Sequence, residues 1–408
     1  MSEKALKHRF FWTWDHSMDW DPTAYGRQEH GCSNYYFKSG DSFLIDYKKL
    51  VDFAAKENYT GVILYGFLRD AHGKIEAAQE LCKYGNDKGV RIIPGVGINS
   101  YGGIYWEGNH EFNLPTWLDK HPELELVGQW KHILPCLRMA CPSQPENQEW
   151  HKRAIAWLSD TFEIGGINYE TGDYGVCQCD LCKDNSERDG VFSHDDMAKQ
   201  LPPLVEIAEK TRPGILNICE CYFDNILDPE KHAAMKALPS SAILQFCINR
   251  KYWPKLTEGI TPEIVSQLPP HDKVIRTHMG SQWNSERHVF AARTFMQLAK
   301  LASANGFDGT TIFGEMPERS ALHEINYLAM SRTGDNPDLE WGEFVSEHLG
   351  PLYGEAELAA KFVALIETRE YSAGDLADAK RTLAGAEEPA YERWLWMVDR
   401  IYRHLGAK

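Results

Sequence analysis

The chain has 408 residues and a formal net charge of -16; 43% of its residues are hydrophobic and 25% are charged. These proportions are those of an ordinary globular protein with a sizeable core, so disordered and fibrous classes are excluded. The acidic balance also excludes nucleic acid as a partner, because phosphate binding depends on clustered Lys and Arg.

Eight short runs rich in Val, Ile and aromatic residues alternate with stretches of helical periodicity, which indicates repeated βα units. The predicted strands are 9–14, 60–66, 91–97, 166–170, 214–220, 242–248, 273–278 and 309–314. The predicted helices are 46–57, 74–88, 146–162, 194–212, 228–238, 262–268, 286–305 and 319–331. Eight such units predict a (β/α)8 TIM barrel, an α/β fold. No Gly-rich phosphate loop follows a strand, which disfavours a doubly wound open sheet.

Beyond about residue 334 the pattern changes to amphipathic helices only, predicted at 340–348, 355–368, 375–384 and 389–405. We therefore predict a catalytic barrel over 1–333 and an α-helical region over 334–408 that packs on it. The last helix carries an aromatic and aliphatic stripe that we expect to belong to the core. Its members are Trp394, Trp396, Ile401 and Tyr402.

The N-terminal segment has no apolar run of the kind that a secretion signal needs, and no later segment approaches about 18 uninterrupted apolar residues. We therefore expect a cytoplasmic protein with no membrane partner. The protein could form a homo-oligomer. In that compartment the ten cysteines are expected to be reduced thiols or metal ligands rather than disulfides.

Three loops after predicted strands are long, at 17–44, 98–145 and 171–192. Barrel enzymes build their pockets from such loops and from the carboxyl ends of the strands. Polar and aromatic side chains collect at these ends beyond what core packing requires. The candidates for substrate binding are Trp14, Asp15, His16, Arg69, Asp70, His72, Tyr105, Glu107, His110, Tyr222, Arg250, His278 and Trp283.

Several carboxylates in an aromatic pocket suit glycoside hydrolysis, in which one acid protonates the leaving oxygen and a second carboxylate attacks or activates water. Glu170 is the first candidate for the acid, because it ends an apolar strand where desolvation can raise a carboxyl pKa. For the second carboxylate, Glu315 ranks above Asp173 and Glu220. Asp173 could instead orient Glu170, and Glu220 could hold a substrate hydroxyl. This chemistry requires no cofactor.

The motifs at these positions resemble barrel glycoside hydrolases related to the hexosaminidase and α-glucuronidase families. The resemblance rests on ETGDYGVCQCDLC at 170–182, CPSQP at 141–145 and FGE at 313–315. Two further stretches, FWTWDH at 11–16 and GFLRDAHG at 66–73, are similar to bacterial members of that group. The resemblance implies a TIM barrel that acts as a glycosidase.

Carried over residue by residue, the resemblance implies an acid at Glu170 and leaves its partner open. Hexosaminidases use an adjacent Asp-Glu pair to engage the acetamido group of the substrate. This chain lacks that pair, because Tyr169 precedes Glu170. We therefore do not expect substrate-assisted cleavage of an N-acetyl sugar.

Three cysteines, Cys177, Cys179 and Cys182, follow the fourth predicted strand closely. Their thiolates could hold a structural zinc ion with a fourth ligand from Cys141, His194 or Asp184. The alternative is a metal-free loop of reduced thiols, which the absence of paired C-x2-C knuckles favours.

A metal-dependent sugar isomerase or hydrolase is the main alternative function. Its metal ligands would come from His16, Glu107, His110, Glu220 and His278. Against it, the sequence has neither H-x-H after the first strand nor an H-E-x-x-H helix. A non-catalytic carbohydrate-binding barrel is the second alternative.

An oligosaccharide or glycoside is the expected partner. The cationic side chains of the candidate site indicate whether that substrate is acidic. Arg69, Arg250, His16 and His278 could neutralise a uronic acid. Each Arg could instead pair with an acid of the pocket, and we favour this pairing.

Overall fold

Eight parallel strands form the centre of the molecule, as seen in a computed structural model. It describes residues 5–14, 40–128, 138–172, 175–188, 190, 192–222, 224–248, 259–277, 290–314, 320–368 and 370–406. The strands are β1 His8–Trp14, β2 Gly61–Tyr65, β3 Arg91–Gly97, β4 Gly166–Glu170, β5 Leu216–Tyr222, β6 Ala242–Ile248, β7 Asp272–Thr277 and β8 Gly309–Phe313. Each pairs with the next in chain order and β8 pairs with β1, so the barrel closes and the predicted fold is confirmed.

The helices between the strands cover the outside of the barrel. They are α1 Gly40–Lys56, α2 Lys74–Asp87, α3 Leu114–Lys120, α4 Pro145–Thr161, α5 His194–Thr211, α6 Asp224–Leu227, α7 His232–Lys236, α8 Pro262–Val265, α9 Ala292–Ala304 and α10 Ala321–Asp335. Side-chain oxygens cap several of these helices. Ser193, for example, accepts a hydrogen bond from the backbone of Asp196 at the start of α5.

The prediction for β5 is displaced by two residues. The strand begins at Leu216 because Gly214 adopts a left-handed turn with φ of 84° before it. As a result Glu220 lies inside the strand rather than at its end. Its backbone pairs in register with Gln245 of β6, and its side chain is buried.

Two predicted helices also differ from the structure. Of the helix predicted over 228–238, only His232–Lys236 (α7) is helical, and a separate short helix, α6, ends before Pro229. A proline in a helix interior removes a hydrogen-bond donor and clashes with the preceding turn. Helix α1 begins at Gly40, six residues before its predicted start at residue 46.

The C-terminal part of the chain is helical, as predicted. Its elements are α11 Trp341–Glu343, a π-helical turn Phe344–Leu349, α12 Gly350–Tyr353, α13 Ala356–Glu367, α14 Ala373–Ala384 and α15 Ala390–Gly406. Together with one face of α9 and α10 they form a second hydrophobic core. Trp394 and Ile401 of α15 are buried there, whereas Tyr402 is exposed, so the expected apolar stripe is narrower than predicted. No helix in the described ranges is long and apolar enough to span a membrane.

Candidate active site

A network of polar side chains lies inside the barrel between β2 and β8. Oε1 of Glu220 accepts hydrogen bonds from Nδ2 of Asn168 at 3.1 Å and from Nε2 of Gln245 at 3.0 Å. The amide of Asn168 also donates to the hydroxyl of Tyr65 at 2.9 Å. Thr311 donates to Oε1 of Gln245 at 2.6 Å. Because all five side chains are buried, these hydrogen bonds replace those that water would otherwise make.

Arg276 of β7 supplies the positive charge of this network. Its Nε lies 3.4 Å from Oε2 of Glu220, and its guanidinium carbon lies 4.7 Å from the centre of the Trp12 ring. A terminal nitrogen also donates to the sulfur of Cys247 at 3.0 Å. Burial opposes the charge of Arg276, but its neighbours outweigh that effect and raise its pKa. The side chain therefore stays cationic inside the barrel.

Burial also disfavours the charged form of Glu220, whose side chain is 4% exposed. Desolvation raises the pKa of Glu220, although the charge of Arg276 and two amide donors oppose the rise. With one oxygen occupied by amides and the other facing Arg276, this carboxyl is suited to hold the network in place. The arrangement favours a positioning role over that of a nucleophile.

Glu170 is the last residue of β4 and is 7% exposed. Its carbonyl oxygen accepts a hydrogen bond from the backbone of Ile98 at 2.6 Å, which joins the end of β4 to the loop after β3. Burial and then the charges of Glu170 and Glu220 raise the pKa of Tyr65 well above its ordinary value. The charge of Glu170 also helps to raise the pKa of Arg276. The charges of both carboxyls therefore act on Tyr65 and on Arg276.

Aromatic rings line the same region. The ring of Tyr65 lies 4.7 Å from that of Trp12 and meets Trp106 edge-on at 6.4 Å. Trp106 in turn stacks on Tyr101, so the third loop contacts the barrel through aromatic rings. Position 95 must be glycine for this packing, since a Cβ there would lie 2.0 Å from the Tyr65 ring.

A second polar network joins the loops after β2 and β3. Glu107 accepts from a terminal nitrogen of Arg69 at 2.6 Å and from its Nε at 3.2 Å. Asp70 accepts from the hydroxyl of Tyr105 at 2.7 Å, and the ring of Tyr105 stacks on His110 at 4.4 Å. The structure thus brings five of the predicted substrate-binding residues together. For Arg69 it supports pairing with a protein acid, the favoured alternative.

Two other predicted substrate-binding residues lie in different surroundings. His72 is completely buried, stacks on Phe43 at 4.0 Å and shares a hydrogen bond with the carbonyl of Gly66. These contacts make His72 part of the packing under the loop, and they leave its ring out of reach of a substrate. Tyr222 ends β5, is half-buried and packs edge-on against Phe192 at 4.9 Å.

The remaining candidates lie outside the described residues. These are Asp15, His16, Asp173, Arg250, His278, Trp283 and Glu315, together with the side chain of Trp14. Their roles stay predictions.

Four cysteine thiols form a separate cluster, here called the thiol cluster: Cys141, Cys177, Cys179 and Cys182. All four sulfurs lie within 4.8 Å of one another, and in the described part of the chain they are the one group of His, Cys, Asp or Glu side chains placed to hold a metal ion. Of the fourth ligands considered, Cys141 is present. His194 instead pairs with Glu187 at 2.7 Å, and Asp184 is exposed.

The sequence analysis missed Arg276, Asn168 and Gln245 because it considered only the ends of the strands. These residues lie within strands, on positions that point into the barrel. Side chains alternate along a strand, so polar residues spaced by two, such as Asn168 and Glu170, share one face. The spacing of polar residues by two in β4 and the single Arg in β7 were the sequence signals that could have indicated polar side chains inside the barrel.

The barrel is similar to that of known carbohydrate-active enzymes. A β-N-acetylhexosaminidase matches at 11% identity with a TM-score of 0.50, over 83% of this chain and 74% of that one. An α-amylase from Geobacillus thermoleovorans matches at 10% identity with a TM-score of 0.49, over 81% and 78%. A catalytic module of a pneumococcal exo-β-D-N-acetylglucosaminidase matches at 14% identity with a TM-score of 0.46, over 100% and 99%. Neither protein-family profiles nor curated protein sequences match the chain. At such identities the likeness concerns the fold.

Proposed function

We propose that this protein is a glycoside hydrolase that uses carboxylates for general acid and base catalysis. The observation that carries the proposal is a buried carboxyl, Glu170, at the carboxyl end of β4, in a barrel whose interior holds the buried ion pair of Arg276 and Glu220. Barrel enzymes perform their chemistry at this face. The hexosaminidase, amylase and glucosaminidase with similar barrels lend support, since their names describe glycoside cleavage.

In this proposal Glu170 is the proton donor to the leaving oxygen. It is buried at a strand end, so its carboxyl meets a substrate with little competing water. Glu315 remains the first choice for the second carboxylate, because it follows β8, which pairs with β1 to close the barrel. Asp173 is the next choice. Glu220 is a positioning residue: it fixes the side chains of Arg276, Asn168 and Gln245 inside the barrel.

An acidic sugar as substrate is a finer proposal. The two described arginines near this face, Arg69 and Arg276, each lie beside a protein carboxylate. A uronic acid would therefore be bound by Arg250, His16 or His278. A panel of nitrophenyl glycosides that includes uronides tests this, and activity confined to neutral sugars would contradict it.

The role of Glu170 is tested with leaving groups of different acidity. Glu170→Gln should lower kcat about 10²- to 10⁴-fold on a phenyl glycoside, whose oxygen needs a proton. The loss should be much smaller on a dinitrophenyl glycoside, which departs without one. The matched control is Glu206→Gln, an exposed residue of α5, which should keep normal activity on both.

Two results would overturn the proposal. Equal losses on both substrates would remove Glu170 as proton donor. Sugar binding without product on any glycoside would make the protein a carbohydrate-binding barrel.

A further inference from the structure

The thiol cluster lies apart from the carboxylate network, and its geometry fits one particular ligand. Sγ of Cys141 lies 3.6 Å from Sγ of Cys179 and 3.7 Å from Sγ of Cys182. Four thiolates at about 2.3 Å from a tetrahedral Zn²⁺ ion are about 3.8 Å from one another. A disulfide would need about 2.05 Å between its sulfurs. The sulfurs are thus too far apart for a covalent bond and correctly spaced to share an ion.

We propose that Cys141, Cys177, Cys179 and Cys182 bind one Zn²⁺ ion as a closed structural site. Four protein thiolates complete the tetrahedron, so no coordination position is left for water or substrate. The ion therefore stabilises the fold and takes no part in the chemistry at Glu170. This inference does not depend on the proposed glycosidase activity.

The surroundings suit a centre of negative charge that is shielded from water. Three of the four cysteines are buried, and they pack with Leu126 and Met139 in a small apolar cluster. The thiol of Cys182 donates to the hydroxyl of Ser143 at 3.1 Å, and the ammonium of Lys199 donates to the same hydroxyl at 2.9 Å. Metal binding removes the thiol proton, after which Ser143 can donate to the thiolate and Lys199 offsets its charge.

The ion would join two loops that follow neighbouring strands of the barrel. Cys141 belongs to the loop after β3, and the other three cysteines belong to the loop after β4. The amide of Gln178 donates to the carbonyl of Val127 at 2.6 Å, which brings the two loops together beside the cluster. The zinc site would thus tie the loop after β4 to the loop after β3.

Metal analysis of the full-length protein tests the proposal without reference to activity. Protein produced with added zinc should contain about one zinc ion per chain by mass spectrometry. Cys141→Ala and Cys179→Ala should each lose at least about nine-tenths of that zinc. The control is Cys82→Ala, a buried cysteine of α2 outside the cluster, which should keep its zinc. Wild-type protein that holds no zinc after purification and reconstitution overturns the proposal.

Two measurements on the wild type keep the test valid if the variants do not fold. Protein loaded with Co²⁺ should show the visible absorption of a tetrahedral four-thiolate site. All ten cysteines should titrate as thiols after unfolding with a chelator and without reductant. Cobalt bound without that absorption, or a disulfide that includes Cys141, Cys177, Cys179 or Cys182, would also contradict the site.

Discussion

Two Arg–Glu pairs, one inside the barrel and one in the loops after β2 and β3, differ in their exposure to water. The side chains of Arg276 and Glu220 are 7% and 4% exposed, and both lie inside the barrel. The side chain of Arg69 is 2% exposed, but that of its partner Glu107 is 50% exposed. Water can solvate Glu107 if its partner is lost, whereas Glu220 would be left with a buried charge. Similar pairs should therefore contribute very differently to stability.

The largest effect is expected from breaking the buried pair. Arg276→Met should lower the free energy of unfolding by about 3 to 5 kcal/mol, because it leaves Glu220 without its counter-charge. Urea denaturation of the variant and the wild type measures this loss.

The double variant Arg276→Met/Glu220→Gln is the control for that experiment. It removes both charges and should recover part of the lost stability. A double variant less stable than Arg276→Met would show that the network matters more than the pairing of charge.

Sequence analysis predicted the positions of the strands well, but it misplaced Glu220, one member of the buried pair. The eight βα units follow from runs of apolar residues, and seven of the predicted strands lie within a residue at each end of those in the structure or match them. The ends of β5 depend on a local turn at Gly214, and its displacement moved Glu220 from a predicted strand end into the barrel interior.

Contacts between distant segments could not be predicted in the same way. Arg276 and Glu220 lie 56 positions apart, and the pairing of β6 with both β5 and β7 brings their strands together. The pairing of Arg69 with Glu107 likewise depends on how two loops fold over each other. Cys141 was among three candidates for the fourth thiol-cluster ligand, and only packing distinguishes it from His194 and Asp184.

A smaller effect should appear as opposite pH dependences at the two networks. Burial raises the pKa of Glu220, so its contribution to stability is full below about pH 4.3 and is lost as pH rises through the folded pKa. Partial burial acts to raise the pKa of Asp70, but hydrogen bonds from Tyr105 and Asn109 outweigh it and lower the pKa. The contribution of Asp70 is present above about pH 3.9 and is lost as pH falls through the folded pKa.

Urea denaturation across the acidic and neutral range measures these dependences in Glu220→Gln and Asp70→Asn. Relative to the wild type, Glu220→Gln should become more stable as pH rises above about 4.3. Asp70→Asn should become less stable, relative to the wild type, as pH rises toward and past about 3.9. Slopes of the same sign would mean that burial does not control the ionisation of Glu220.

The smallest effect is expected at the exposed pair. Glu107→Gln should cost less than about 1 kcal/mol, because water solvates half of Glu107 and the new amide oxygen can still accept from Arg69. Part of that loss should disappear at high salt, which screens exposed charges. Urea denaturation at low and high ionic strength measures both quantities. A loss as large as that of Arg276→Met would show that burial of the arginine alone, rather than of the pair, determines the cost.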